Sequence, residues 1–595
     1  MRRIGLLAAG LALVLIGAGL AHLVQTAGGV SVRDIRWTSP DGQEMSGLLY
    51  VPRSATVTQP APAVLASHGY INSREMQSPF AIELARRGFV VLAMDMSGHG
   101  YSGGAVGDHD GGGPGALAYL RAQPFVDRRN IGLEGHSMGG VPIIGAALAQ
   151  PDGYRSMVLE GSTVPEAGQV GAGTSVFPRN LEVVFGQYDE FAPLMWHEAR
   201  GADVGQSPKM AALFGTTAPA IPGRLAGSIA DGTARLLITP PVTHPMEHFS
   251  TAGVGAAVDW FQRTLTGEAT PLPASDQIWF WKEVGTLMGL VGFVVVVLGA
   301  FDLALTARPF ASLRRRASTG APPPASPLQG WFAIAAAAIL PAATFYALMG
   351  LGYAFTPSRL FPQYVTNQLV VWALVNAGVS AALLAASRRR GAPAGPWLPA
   401  CLLALTAAAA GYAALFAVDR LFGVDFRFWV VGLKLLDARH AIDVVAYAPA
   451  FTLAYLVTMR SFNTSLPREG QGAIAAGLTS AAAMSLGFVV LLAVQYGALL
   501  TTGRLFSPKE ALNTIIAIQF VPVLATVGVI GAFAYRRTGG YVAGGVLCGL
   551  LVSWYIVAGT ATHWRPGWSP PHAAGLFPDR PATMRPPALR RLEAR

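Results

Sequence analysis

The sequence predicts two folds in one chain: an α/β domain with a mostly parallel sheet covered by helices on both faces, and an all-α domain of helices that cross a membrane. Residues 30–270, called the sheet domain below, alternate short apolar runs with runs of helical periodicity. Residues 279–561, called the helical domain, consist almost entirely of long apolar runs. Only 13% of the 595 residues are charged and 52% are hydrophobic, which excludes a single ordinary soluble domain.

The first 25 residues predict a helix long enough to span a bilayer. Arg2 and Arg3 precede an apolar stretch, Ile4–Val24, that is interrupted only by His22. About 20 apolar residues suffice to cross the hydrocarbon core, which favours a retained anchor. A cleaved signal peptide is the alternative, because small residues near 18–21 or 27–29 offer a cleavage site.

Six apolar runs of the sheet domain predict strands. They lie at Pro62–Ser67, Gly88–Met94, Ile131–Glu134, Ser156–Leu159, Glu182–Phe185 and Ala234–Ile238. Helical runs fall between and after them, at Gln77–Arg87, Ala116–Ala122, Val141–Ala149 and Gly255–Leu265. Alternation of this kind is typical of a parallel sheet whose crossover connections are helices.

Eight apolar runs of the helical domain predict spanning helices. They lie near 279–304, 329–354, 365–387, 397–417, 441–459, 473–500, 511–534 and 540–561. Eight buried helices of a soluble core would leave almost no polar surface to face water. We therefore expect a multi-pass protein of the cell membrane, with the lipid bilayer as its partner.

Arginine clusters indicate the orientation. Arg2 and Arg3, Arg314–Arg316, Arg388–Arg390, and Arg536 with Arg537 fall in alternate connections. The positive-inside rule then places the sheet domain on the extracytoplasmic side. The same alternation places the Pro- and Arg-rich tail, 562–595, outside as well, although its six arginines oppose export.

Charge and cysteine content exclude other classes. Residues 26–270 hold 22 acidic and 16 basic side chains, so the net charge of +10 belongs to the rest of the chain. No basic face with interleaved aromatic residues occurs in the sheet domain, and nucleic acid is not expected as a partner. The two cysteines, Cys401 and Cys548, lie in apolar runs, which excludes a disulfide framework and a cysteine-based metal site.

One motif predicts a nucleophile. Gly135-His-Ser137-Met-Gly139 stands between a predicted strand and a predicted helix. Glycines two positions before and after a serine permit a sharp turn that holds the hydroxyl above the sheet edge. Ser137 is therefore the candidate nucleophile of an acyl-transfer reaction.

With three further segments, this motif resembles the α/β-hydrolase superfamily, nearest in pattern to its esterase, dienelactone-hydrolase and prolyl-oligopeptidase-like branches. The segments are Ser67-His-Gly-Tyr70, Asp95-Met-Ser-Gly98-His-Gly-Tyr-Ser102, and Thr243-His244. The resemblance covers residues 30–265 and implies a serine hydrolase without a cofactor. It also implies an oxyanion hole made by the backbone N–H groups of Met138 and Tyr70.

The family order, serine then acid then histidine, directs the search for the rest of the triad. Asp189 follows the β-branched run 182–185 and is the candidate acid, with Glu190 as its neighbour. His244, directly after the last apolar run, is the candidate base, and His248 is the alternative. Residues 192–233 form an insertion that we expect to be a lid or a bilayer-facing surface.

The string His244-Pro-Met-Glu247-His248 also matches an inverted zinc-binding pattern. Such a site needs both histidines on one helical face, and Pro245 makes a helix through His244 improbable, so no metal is expected.

Two functions of different classes remain. The first is a membrane-embedded serine hydrolase of an ester or lipid-like small molecule, with an amide or peptide less favoured. The second is a transporter or membrane-assembly protein whose sheet domain only binds. The ordered set Ser137, Asp189 and His244 favours the enzyme, as does the scarcity of charges at the centres of the spans.

Overall fold

The computed structural model describes residues 2–267, 270–314, 327–388, 391–465, 472–560 and 562–568. Parts of two predicted features lie outside these residues. They are the tail beyond 568 and the arginines at 315, 316, 389 and 390.

Eight strands form one sheet in the order β1-β2-β4-β3-β5-β6-β7-β8. Their bounds are β1 Ser31–Thr38, β2 Glu44–Val51, β3 Ala61–Ser67, β4 Val90–Met94, β5 Val126–His136, β6 Ser156–Glu160, β7 Leu181–Val184 and β8 Arg235–Ile238. β2 runs antiparallel to both β1 and β4, and the other neighbours are parallel. The mostly parallel sheet predicted from the sequence is confirmed.

β1 and β2 are the strands of this sheet that sequence reasoning missed. β1 lies at the sheet edge, and most of its residues are exposed or half-buried. Its sequence, SVRDIRWT, therefore lacks the continuous apolar run that marks a strand buried on both faces.

Helices cover both faces of the sheet. The helices of this domain are α2 Ser78–Arg86, α3 Gly113–Ala122, α4 Gly140–Ala149, α5 Ala192–Met195, α6 Pro208–Phe214 and α7 Thr251–Thr264. Leu65 of β3 packs in the same core as α3 and α4, whereas its neighbour Val64 packs in the core of α2 and α7. Successive side chains of a strand point to opposite faces, so each strand supplies both cores.

The insertion between β7 and β8 packs into the sheet domain. Trp196, Met210 and Leu213 are fully buried there, and the indole N–H of Trp196 donates a 3.1 Å hydrogen bond to the carbonyl of Ser162. The expectation of a lid or a bilayer-facing surface is therefore wrong for these residues, because their apolar side chains are buried in the core of the sheet domain.

The helical domain consists of long apolar helices, together with the first helix of the chain and a short hairpin. Their bounds are α1 Arg2–Gln25, α8 Trp279–Ala304, α9 Ala311–Arg314, α10 Pro327–Ala343, α11 Phe345–Gly352, α12 Tyr364–Ala386, α13 Trp397–Phe422, β9 Phe426–Phe428, β10 Val431–Leu433, α14 Ala438–Ser465, α15 Ala473–Thr502, α16 Ala511–Thr538 and α17 Val542–Tyr555. Within the described ranges, eight helices are long and apolar enough to cross a membrane. A ninth is added if the bent pair α10 and α11 counts as one span.

That pair differs from the single spanning helix predicted over 329–354. The chain bends by 46° between Ala343 and Phe345. Pro341 supplies no N–H to the helix, and the hydroxyl of Thr344 donates a 2.7 Å hydrogen bond to the carbonyl of Leu340. Both features loosen the backbone hydrogen bonding at the bend.

α1 packs closely along α8 through glycine. A Cβ on Gly17 would collide with the carbonyl oxygen of Gly285 and lie 2.8 Å from the backbone nitrogen of Gly289. At the end of α1, His22 Nδ1 lies 2.8 Å from the carbonyl of Phe422, the last residue of α13. Small residues permit this close approach of two backbones.

Alternate connections of the helical domain meet the sheet domain. The β9–β10 hairpin does so through Arg427, Gly503 lies against the side chain of Arg200, and the His563 N–H donates a 2.9 Å hydrogen bond to the carbonyl of Gly98. Arg537, by contrast, pairs with Asp302 at the far end of α8, with 3.2 Å between Nη2 and Oδ2. These contacts place alternate connections on the side of the sheet domain.

Candidate active site

Ser137 stands at the junction between β5 and α4. β5 ends at His136, and Ser137 opens a single 3₁₀ turn that leads into α4 at Gly140. The backbone φ of Ser137 is +55°, in the left-handed region that non-glycine residues rarely occupy. A Cβ on Gly139 would collide with the carbonyl oxygen of Ser67, so the turn requires glycine at that position. The sequence therefore forms a tight turn that presents the Ser137 hydroxyl at the carboxyl edge of the sheet.

The structure brings Ser137, His244 and Asp189 together. His244 Nε2 lies 2.8 Å from Ser137 Oγ, and His244 Nδ1 lies 2.8 Å from Asp189 Oδ2. All three residues are at most 8% exposed. Burial alone would lower the pKa of His244, but the charge of Asp189, its hydrogen bond and the charge of Glu190 raise it above the ordinary value. The imidazole can therefore accept a proton from the serine hydroxyl.

His248, the alternative base, is placed elsewhere. Its Nδ1 lies 3.3 Å from His136 Nε2, and no contact with Ser137 occurs among the described residues. Burial, with the charges of His244 and Arg427, lowers the pKa of His248 to about 3. His248 is therefore a neutral buried side chain behind the site.

Glu190, the neighbour of the candidate acid, contacts His244 through the backbone rather than the ring. Glu190 Oε2 accepts a 2.8 Å hydrogen bond from the N–H of His244. Glu190 Oε1 accepts a second one, also of 2.8 Å, from the hydroxyl of Tyr496 in α15. Burial and the nearby charge of Asp189 raise the pKa of Glu190 to about 7.

The loop after β3 lies directly against Ser137. A Cβ on Gly69 would stand 3.0 Å from the Cβ of Ser137, so the backbone leading to Tyr70 passes beside the candidate nucleophile. His68 fixes this loop, because its Nε2 accepts a 3.1 Å hydrogen bond from the N–H of Met96. Met138 lies in the first turn after Ser137, where backbone N–H groups have no partner within the helix.

The zinc pattern in the sequence does not assemble as a site. Residues His244–Phe249 form a 3₁₀ helix, so His244 and His248 do not share a face as they would one turn apart in an α-helix. The three side chains whose donor atoms do come close are His136, His244 and Glu247. Both ring nitrogens of His244 already have partners in Ser137 and Asp189.

Sequence reasoning missed the residues that the helical domain adds to the site. The indole N–H of Trp429, between β9 and β10, donates a 2.5 Å hydrogen bond to the carbonyl of Pro245. Tyr496 and Trp429 carry no motif, and each lies far along the chain from the residue it contacts. Glu247 was considered only as part of the zinc pattern, and its placement as a buried carboxyl was not predicted; its Oε1 accepts a 2.5 Å hydrogen bond from the N–H of Gly186. Burial and the charge of Asp189 raise its pKa well above the ordinary value.

Known proteins resemble the sheet domain. Residues 58–198 match the family model described as serine aminopeptidase, S33. A thiohydrolase of Aspergillus aculeatus, aneE, is 30% identical over 125 residues, which are 19% of this chain and 36% of that protein. The chain thus spans about a third of that relative.

Solved structures show a likeness over the same region. An esterase of Pyrococcus furiosus covers 40% of this chain and 94% of its own, at 17% identity and a TM-score of 0.30. A dienelactone hydrolase-like phosphotriesterase from metagenomic libraries covers 40% of this chain and 99% of its own, at 17% identity and a TM-score of 0.30.

Four observations support the same fold. They are the strand order, the antiparallel β2, the serine turn after β5 and the family match at 58–198. The sheet domain of this chain is a hydrolase-type domain with the α/β-hydrolase fold, and a helical region with many apolar helices follows it.

Proposed function

We propose that the protein is a membrane-embedded serine hydrolase that cleaves an ester through an acyl-enzyme on Ser137. The observation that carries this proposal is the pair of 2.8 Å hydrogen bonds that link Ser137 to His244 and His244 to Asp189. A nucleophile, a base and an acid that orients the base are the three parts that this chemistry needs.

Each group has a defined role in the proposed reaction. His244 Nε2 takes the Ser137 proton while Ser137 Oγ attacks the carbonyl carbon, and Asp189 stabilises the imidazolium that forms. The backbone N–H groups of Met138 and Tyr70 stabilise the oxyanion. His244 then gives its proton to the departing alcohol as the bond to it breaks. A water, deprotonated by His244, then attacks the acyl carbon. The bond from that carbon to Ser137 Oγ breaks, His244 returns the proton to Oγ, and the acid is released.

The surroundings of the site support an apolar, lipid-like ester. The ring of Phe191 lies 4.7 Å from the ring of His244, between centroids. Tyr496 and Trp429 of the helical domain bring further aromatic side chains to Glu190 and Pro245. The thiohydrolase relative supports a carbonyl attached to a good leaving group, whereas the aminopeptidase description of the family model keeps a peptide as the alternative.

The proposed location is the cell membrane, with the site on the extracytoplasmic side. The apolar helices support embedding, and the arginine-rich connections opposite the sheet domain support this orientation.

Labelling with a fluorophosphonate in intact cells tests nucleophile and sidedness together. We expect a membrane-impermeant probe to label the wild type and the Ser54→Ala control but not Ser137→Ala. Hydrolysis of p-nitrophenyl esters should follow the same pattern, and peptide substrates should be poorer. Labelling that persists in Ser137→Ala would show that Ser137 is not the nucleophile, and a wild type with neither labelling nor ester turnover would leave a transporter or assembly function. Labelling that needs cell lysis would place the site in the cytoplasm.

A further inference from the structure

Glu190 joins the helical domain to the backbone of His244. Its Oε2 accepts from the His244 N–H and its Oε1 accepts from the Tyr496 hydroxyl, each at 2.8 Å. The residue is 5% exposed, so both carboxylate oxygens are held by protein donors in a buried setting. A buried carboxylate with two fixed donors holds those donors at a defined separation.

The interface around Tyr496 is apolar. Leu499, Leu505 and Ala511 form a buried cluster at this end of α15 and α16, and Tyr188, Phe191 and Tyr496 pack against it. The Phe191 ring also contacts the His244 ring. Apolar packing on this side leaves the hydroxyl of Tyr496 little choice of partner other than Glu190.

A second contact holds the next residue of the same loop. The carbonyl of Pro245 accepts from the Trp429 indole, and the backbone N–H of Trp429 donates a 3.1 Å hydrogen bond to Glu283 at the start of α8. The helical domain thus holds two consecutive residues. Tyr496 of α15 holds His244 through Glu190, and Trp429 of the β9–β10 hairpin holds Pro245. These residues open a 3₁₀ turn and belong to no strand of the sheet.

We propose that Tyr496 is a positioning residue for His244, which it holds through Glu190, and that the helical domain thereby completes the active site of the sheet domain. This inference rests on the proposed function, because it treats His244 as the base. Acyl transfer needs Nε2 at hydrogen-bond distance from Ser137 while Nδ1 stays on Asp189. A backbone shift of about 1 Å at such a base costs on the order of 100-fold in rate.

Because Glu190 can carry a charge, the positioning role predicts a change in the pH profile of activity that a loss of stability alone would not cause. The titratable groups that act on its carboxyl are Asp189, which raises its pKa, and His244 and Tyr496, which lower it. Loss of the Tyr496 hydroxyl therefore raises the pKa of Glu190 and makes it more neutral near pH 7. A neutral Glu190 no longer favours the imidazolium, so the acidic limb of kcat/KM moves to lower pH.

The test uses the full-length protein in detergent, with Tyr496→Phe, Glu190→Ala and the double variant. We expect Tyr496→Phe to lower kcat about tenfold with little change in KM, and to move the acidic limb down. In the Glu190→Ala background, Tyr496→Phe should have no further effect, because the residue acts through Glu190. Tyr447→Phe is the control, since its hydroxyl bonds to Asn367 inside the helical domain.

Glu190→Gln keeps the proposal testable if Tyr496→Phe folds poorly. Its amide can accept from the His244 N–H and donate to Tyr496, so kcat should stay within about threefold of the wild type while the acidic limb moves down. Three outcomes would each overturn the proposal. The first is a folded Tyr496→Phe with wild-type kcat and pH profile, and the second is independent losses in the double variant. The third is an acidic limb that does not move in Glu190→Gln. A wild type without Ser137-dependent activity would instead overturn the proposed function.

Discussion

Lys434, just after β10, donates a 2.7 Å hydrogen bond from Nζ to Oε2 of Glu75, in the turn that follows β3. The two residues are 1% and 9% exposed. Burial alone would raise the pKa of Glu75, but the charges of Lys434, Arg74 and Arg427 hold it well below its usual range. The pair ties the helical domain to the sheet domain through buried charge.

Lys434→Met should destabilise the protein strongly, because it leaves Glu75 with a weaker set of cations in a buried setting. Breaking such a pair costs on the order of 3 kcal/mol, which a large fall in Tm in detergent would show. Lys509→Met is the control, since Lys509 is exposed, and it should leave Tm almost unchanged. Equal Tm values for the two variants would contradict a structural role for the Lys434–Glu75 pair.

The packing of α1 on α8 predicts different outcomes for two glycines of one helix. Gly17→Leu should prevent close packing, because a Cβ there already meets the backbone of α8, whereas Gly19 has open space around it. We expect a lower Tm and less folded protein for Gly17→Leu and near-wild-type values for Gly19→Leu. Mass spectrometry of the purified protein should also find α1 still attached. Similar behaviour of both variants, or a chain that starts after residue 25, would show that α1 is not part of the folded helical domain.

Substitutions of the two histidines in the loop after β8 should have different effects on activity. His244→Ala should lower kcat by about 1,000-fold or more, because it removes the side chain that contacts both Ser137 and Asp189. His248→Ala should retain most of the activity, because it contacts His136 instead. Ester turnover at saturating substrate measures both, and the reverse order would make His248 the base.

Glu160 predicts a pH dependence of stability. Its side chain is fully buried, and burial raises its pKa to about 8. A carboxyl whose folded pKa is raised contributes stability that is fully present below the ordinary pKa of 4.5 and is lost as the pH rises from there to about 8, where the loss is complete. The Tm of the wild type should therefore fall between pH 5 and 9 by more than that of Glu160→Gln. Parallel Tm curves would show that Glu160 is not the buried acid that titrates.

The orientation can be checked with reporter fusions. A reporter that is active only outside the cytoplasm should be active after residue 270 and silent near Ser318. A third fusion, after Phe506, should be active, because residues 503–510 share the sheet-domain side. Activity near Ser318 with silence at 270 would place the sheet domain in the cytoplasm.

Local patterns in the sequence were enough to predict the architecture. Strand and helix periods are set by neighbouring residues, which is why β3 to β8 and the long apolar helices could be found without a structure. The turn at Ser137 was visible for the same reason, since its glycines lie within two residues of it. The edge strand β1 escaped because its exposed side chains leave no apolar run.

Tertiary structure decided what depends on distant residues. His244 and His248 are both histidines and lie four positions apart, so the residue type does not distinguish them. Only the packing of the loop after β8 determines which one contacts Ser137. The contact between Tyr496 and Glu190 joins residues 306 positions apart. Such a contact cannot be predicted from periodicity or from a motif, because each of the two residues belongs to the local pattern of its own segment. The sequence by itself determined the two folds and the candidate nucleophile, whereas the close packing of the two domains determined how the candidate base is held.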